Sequence, residues 1–135
     1  MAKTAKRIKG DIGEEVVCKY LEKNGYRIVE RNYLRPWGEI DIIAERPSLL
    51  SFIEVKTVSR ETVGAFRPEG HQRSEIRPEE NMHPAKLKRL HRAVQTYLLD
   101  HKVPDSMPWQ IDLACVSLVF STHKARVELI ENVIL

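Results

Sequence analysis

Asp41, Glu54 and Lys56 are the residues of this 135-residue chain whose types and spacing could do chemistry. All three lie in GEIDIIAERPSLLSFIEVKT, residues 38 to 57, a stretch that otherwise reads as two apolar strands. A charge placed in a strand meant for burial is costly unless it is paired, neutralised or bound to a metal. If the two strands form a hairpin around Arg46-Pro47-Ser48, pairing Glu45 with Leu50 makes paired positions sum to 95 and sets Asp41 opposite Glu54. Opposed residues share a face, with Cβ atoms about 4.5–5.5 Å apart, and Lys56 joins that face two residues beyond Glu54. Two facing carboxylates repel, whereas Mg²⁺ is held by one or two carboxylates together with waters and phosphate oxygens. An adjacent ammonium can orient a water or stabilise charge developing on a phosphate, so the trio matches metal-assisted hydrolysis of a phosphodiester. The same spacing also suits a Glu54 to Lys56 ion pair near a strand end with Asp41 capping a turn. Spacing alone leaves both readings open.

The elements that must position these residues are legible along the chain. Ile8, Ile12, Val16, Val17, Tyr20 and Leu21 recur at helical spacing, and Gly25 supplies a stop, predicting a helix over residues 4–24 with this apolar stripe turned to the core. Strands follow over residues 26–34, 39–45 and 49–58, separated by the turns at Pro36-Trp37-Gly38 and Arg46-Pro47-Ser48, and together they make a meander. Residues 59–82 hold Gly64, Pro68, Gly70 and Pro78 among many charges without apolar periodicity, so a long loop of the functional or mobile kind is expected there. A second helix starts at Pro84, carries Leu87, Leu90, Val94, Tyr97 and Leu98 on one stripe, and ends near His101. Strands over residues 109–120 and 125–131 complete the order: helix, three strands, helix, two strands.

Composition bounds the rest. With 42% apolar and 30% charged residues the chain is of ordinary globular type, long enough for one domain over residues 1–135 with a sizeable core. No apolar run reaches the length of a membrane span, and MAKTAKRIKG lacks the apolar segment of a secretory signal, so a cytoplasmic location without membrane contact is expected. Cys18 and Cys115 stand apart without paired spacing and are expected as buried free thiols. A net charge of +3 is too small to imply a nucleic-acid partner by itself; where the charge sits matters more.

On the first helix, Glu14 falls beside Val17 and Leu21 at the border of the apolar stripe and can look toward the sheet, while Glu15 points away. A solvated carboxylate at the helix rim is the alternative reading of Glu14.

The strings GEEVVCKYLEKNGYRIVERN, GEIDIIAE, FIEVKTVS, HPAKLKRLHRAVQTYL and WQIDLACVSL together closely resemble the YraN-like family of small bacterial proteins over nearly the whole chain. That family resembles a compact branch of the restriction-endonuclease-like, or PD-(D/E)xK, nucleases, which include Holliday junction resolvases. The resemblance implies an α/β three-layer fold with a mixed central sheet. It also implies that Asp41, Glu54 and the helical acid Glu14 bind Mg²⁺ or Mn²⁺, and that Lys56 assists the attacking water. Glu39, on the strand of Asp41, is then a supporting group or an alternative ligand. Ile40 stands where the superfamily carries a proline before the acid, a residue without a catalytic group.

Between His83 and His91 the second helix carries Lys86, Lys88 and Arg89, followed by Arg92, with no acidic residue, while its leucines face the core. Such a ridge suits phosphate contacts that do not read sequence, although a solvated polar face gives the same pattern. Lys86 also matches a lysine of the family pattern. The expected activity is cleavage of DNA at branched or otherwise non-standard structures. The rival expectations are an inactive module binding nucleic acid or protein on the same fold, and an adaptor or homodimer pairing through the apolar tail at residues 127–135.

Overall fold

The computed structural model describes residues 3–60 and 83–133. Helix α1 (Ala5–Lys23) opens where Thr4 accepts the Arg7 backbone N–H on its hydroxyl at 3.1 Å, an N-cap of the usual kind. It ends at Asn24, and Gly25 takes the left-handed φ of 87° that turns the chain into the sheet. Strands β1 (Arg27–Arg35), β2 (Gly38–Arg46) and β3 (Leu49–Arg60) form the expected meander. β3 runs two residues into the segment expected as a loop; residues 61–82, the remainder of that expected loop, lie outside the described residues. Helix α2 (Pro84–Asp100) follows with proline in its first turn, then β4 (Trp109–Val119), a short 3-10 turn (Phe120–Thr122) and β5 (Lys124–Ile130).

The sheet order is β1-β2-β3-β4-β5, antiparallel except between β3 and β4, which run parallel from Leu50↔Trp109 to Arg60↔Val119. A parallel neighbour needs a crossover connection, and the segment containing α2 provides it. The sheet is therefore mixed, within the α/β order read from the sequence.

Side-chain alternation along β4 divides the interior into two layers. Ile111, Leu113 and Cys115 join the cluster under α2, with Phe52, Leu90, Val94 and Tyr97. Ala114, Val116 and Leu118 join the cluster under α1, with Val17, Leu21, Ile42 and Ile53. Burial on both faces is why β4 reads as nearly continuous apolar sequence. Tyr97 meets Tyr33 and Phe52 edge to face, with ring centroids 5.3 and 5.5 Å away. Cys18 and Cys115 are buried free thiols, as expected.

One expectation fails at the start of α1. Ile8 and Ile12 remain 48% and 38% exposed, because the buried face of α1 begins only at Gly13. Periodicity reports that a helix is amphipathic, not whether the sheet reaches far enough to cover it.

Two glycines set how closely the helices approach the sheet. A Cβ at Gly13 would collide with the Thr57 side chain, and one at Gly38 would lie 2.5 Å from the backbone oxygen of Arg89. The first contact brings Glu14 onto the sheet; the second seats α2 on the β1–β2 turn. Trp37 in that turn fixes the same seat by donating its indole N–H to Thr96 Oγ1 at 3.1 Å.

Gly13→Ala is expected to cost about 1–3 kcal/mol through overpacking. Gly10→Ala, three residues earlier with open space around the added methyl, should gain about 0.5–1 kcal/mol of helix stability. Urea unfolding of the two variants checks the contrast; equal effects would remove the close α1–β3 contact as its cause.

Candidate functional site

The hairpin register is the one expected: Arg46↔Leu49 through Ile42↔Ile53, with Glu45 opposite Leu50. One level further, Asp41 engages β3 with its side chain. Its Oδ2 accepts the Val55 backbone N–H at 2.8 Å, so a carboxylate takes a donor that a continued ladder would give to a carbonyl. The alternation of β2 also slips here, since Ile40 packs in the α2 cluster and Ile42 in the α1 cluster. Asp41 sits in that slip.

Other acids gather around it. Glu14, only 6% exposed on α1, is positioned by the Gly13 contact. Glu54 lies on β3, in the alternation of Phe52 and Val58 that faces α2. Burial above all, then the charge of Glu54, pushes the Asp41 carboxyl up from 3.8 to about 8; the Val55 hydrogen bond pulls it down, and Glu14 and Glu39 push it further up. Burial likewise raises Glu14, against the pull of Arg7 and Arg31, with Asp11 and Glu39 adding to the rise. Burial and the neighbouring like charges thus oppose ionisation of Asp41 and Glu14, with Glu39 acting on both and Glu54 on Asp41.

Each acid has a donor from the protein. Lys86 Nζ stands 2.8 Å from Glu54 Oε1, with the Glu54 side chain only 13% exposed. The ion pair of Glu54 is therefore made across to α2. Lys56 is exposed on the same strand. Arg31 approaches Glu14 at 3.9 Å and Glu15 at 2.7 Å. The Asn32 side-chain amide stands 3.0 Å from Glu14 Oε1 and 3.3 Å from Glu39 Oε1; both are acceptors, so the orientation that satisfies them turns the amide nitrogen to the acids and donates to each. Among the described residues no three His, Cys, Asp or Glu side chains converge tightly enough to hold an ion as they stand. The donor set itself, carboxylate oxygens crowded by like charge, is chemically suited to a hard divalent cation.

Of the basic ridge, Lys88 and Arg89 are exposed on α2 beside Lys86. Arg92 lays its guanidinium over the Trp37 ring, 4.5 Å from the centroid, and so also helps to hold the hairpin. Sequence reasoning missed Asn32 and Arg31 as site residues: they close the string GEEVVCKYLEKNGYRIVERN but carry no periodic signal. It also passed over Asp112, wholly buried, whose Oδ1 accepts from the Asn132 backbone and Gln110 and ties β4 to the chain after β5.

Residues 13–130 match the profile of the uncharacterised protein family UPF0102. The chain belongs to this family. It is the YraN-like family that the sequence strings resemble. A UPF0102 protein of Campylobacter lari is 31% identical over 121 residues, covering 90% of this chain and 88% of its own. One from Wolinella succinogenes is 34% identical over 129 residues, covering 96% and 98%. One from Alkaliphilus metalliredigens is 38% identical over 89 residues, covering 66% and 68%. The cluster of Glu14, Glu39, Asp41 and Glu54 falls inside the matched span of this UPF0102 chain. No helix among the described residues is long and apolar enough to cross a membrane.

The raised Asp41 carboxyl carries a stability consequence. Unfolded, Asp41 gives up its proton near 3.8; folded, it keeps it to about 8. The fold binds the extra proton between those values and loses stability as pH rises through them. Asp41→Asn keeps an oxygen for the Val55 N–H without the charge. At pH 8 and without divalent ions it is expected to raise the thermal midpoint by about 5 °C, the shift that roughly 1 kcal/mol produces in a domain of this size, and to give no advantage near pH 4. Scanning calorimetry at both pH values checks this; an identical difference at the two would remove the charge as its origin.

Proposed function

We propose that this protein is a metal-dependent phosphodiesterase acting on DNA, with Glu14, Asp41 and Glu54 as the residues that would hold Mg²⁺ or Mn²⁺. The observation that carries the reading is Asp41, a half-buried acid that feels the charge of Glu54 and is held to β3 by the Val55 N–H. A fold that needed only a turn cap there would not crowd further carboxylates around it. When bound, the ion supplies Lewis-acid polarisation of a phosphoryl oxygen and activation of water.

The chain's own groups do the remaining work. Val55 N–H aims the Asp41 carboxylate. Lys56, exposed two residues beyond Glu54 on β3, would orient the attacking water or stabilise negative charge developing on the phosphate. Lys86, Lys88, Arg89 and Arg92 provide cations along α2 for the phosphate backbone, a contact that positions nucleic acid without reading its sequence. Binding of this type suits recognition by shape, in keeping with a branched or non-standard substrate.

A second reading has its own support. Glu54 is occupied by Lys86, and no three acids converge among the described residues, which favours a module that binds DNA or protein without cutting it.

Calorimetric titration with Mn²⁺ is expected to show binding that Asp41→Ala abolishes. Junction, flap, single-stranded and linear duplex DNA incubated with Mg²⁺ or Mn²⁺ should be cleaved unequally, with losses of about 100-fold or more in Glu54→Ala and Lys56→Ala. Cleavage that persists in both variants places the chemistry elsewhere, and DNA retention without cleavage favours the binding module. Lys86→Gln should weaken retention and flatten its salt dependence.

A further inference from the structure

Asn32 has no part in the function set out above, yet its geometry is built for one. Its φ of 54° is left-handed, a conformation that asparagine tolerates better than most residues and that a strand interior does not otherwise use. Flanked by the ladder pairs Arg31↔Ile42 and Tyr33↔Ile40, it stands at the level of Asp41. Both strands change their side-chain phase at this level. Arg31 reaches the acids of α1 while Tyr33 packs under α2; across from them, Ile42 packs under α1 and Ile40 under α2. The twist at Asn32 lets two successive residues of β1, Arg31 and Asn32, serve the same acids.

The acids need such a donor. Glu14 is buried, and a buried carboxylate without a hydrogen bond is costly. Arg31 stands 3.9 Å from Glu14 Oε1, beyond hydrogen-bond length, whereas the Asn32 amide, with its nitrogen assigned toward the two acceptor carboxylates, donates to the same oxygen at 3.0 Å and to Glu39 Oε1 at 3.3 Å. One neutral amide therefore bridges two carboxylates that repel each other.

We propose that Asn32 is a positioning residue that holds Glu14 and Glu39 side by side near Asp41, so that the acids need less rearrangement to close on a divalent cation. This rests on the reading of the acids as a cation site. An amide suits the task because it adds no charge. A lysine or arginine would cancel the negative field that attracts the cation, an aspartate would add to the repulsion, and a serine offers only one donor.

Asn32→Gly keeps the left-handed backbone without strain and deletes the amide. It is expected to weaken Mn²⁺ binding in calorimetry by about 10-fold, the usual effect of removing a group that orients a ligand, with a thermal midpoint close to that of the unaltered protein. Adding Glu39→Gln to Asn32→Gly removes the repulsion that Asn32 bridges and should recover part of the affinity, the remainder being lost with the Glu39 charge; a purely structural role in the turn would not be recovered this way. Unchanged Mn²⁺ affinity in Asn32→Gly, or no recovery in the double variant, overturns the proposal. If the unaltered protein binds no Mn²⁺, the cation reading falls, and the clamp is decided by the side-chain amide resonances of Asn32 in a ¹⁵N spectrum. These should shift in Glu14→Ala, and stationary resonances would end it.

Discussion

The hydrogen bond from Val55 N–H to the Asp41 carboxylate joins two requirements that would otherwise conflict. β2 and β3 have to pair closely enough to seal two hydrophobic layers, yet they also have to leave room between them for a charged side chain. The ladder runs up to Ile42↔Ile53 and then yields, and the carboxylate takes over one of its donors. Because Asp41 is tied there, the surrounding acids are defined relative to it: Glu54 from its own partner strand, Glu14 from α1 and Glu39 from β2 itself.

Charge then has to be balanced from outside the hairpin. Lys86 is the third residue of α2, near a helix N-terminus where a cation is disfavoured by the helix dipole. Glu54 supplies the compensation. The seat of α2 on the β1–β2 turn, made by Gly38 against Arg89 and by Trp37 against Thr96, places this lysine. Packing contacts far from any chemistry thereby decide which cation meets which acid.

Much of this was legible in the sequence. The Arg46-Pro47-Ser48 turn and the alternation on both sides of it dictated the register, and the placement of Glu14 beside Val17 and Leu21 followed from helical periodicity. What stayed hidden depended on contacts between elements distant in the chain. The Glu54 partner is Lys86 on another layer, which no spacing rule connects to it. The phase slip of β1 coincides with the positive φ of Asn32, and asparagine occurs in too many ordinary turns to announce it. Ile8 and Ile12 misled because a stripe on a helix says nothing about where the sheet beneath it stops.

The parallel seam between β3 and β4 has a consequence in time as well as space. The meander closes through tight turns between neighbouring strands, whereas β4 must return to β3 after the whole intervening segment and α2, and contacts so remote in sequence close slowly. The hairpin that carries Asp41 and Glu54 is therefore able to form while the lysine of α2 and the second apolar layer are still absent. A hairpin formed ahead of those layers would leave Asp41 and Glu54 facing water, which solvates them at no cost until the remaining layers close.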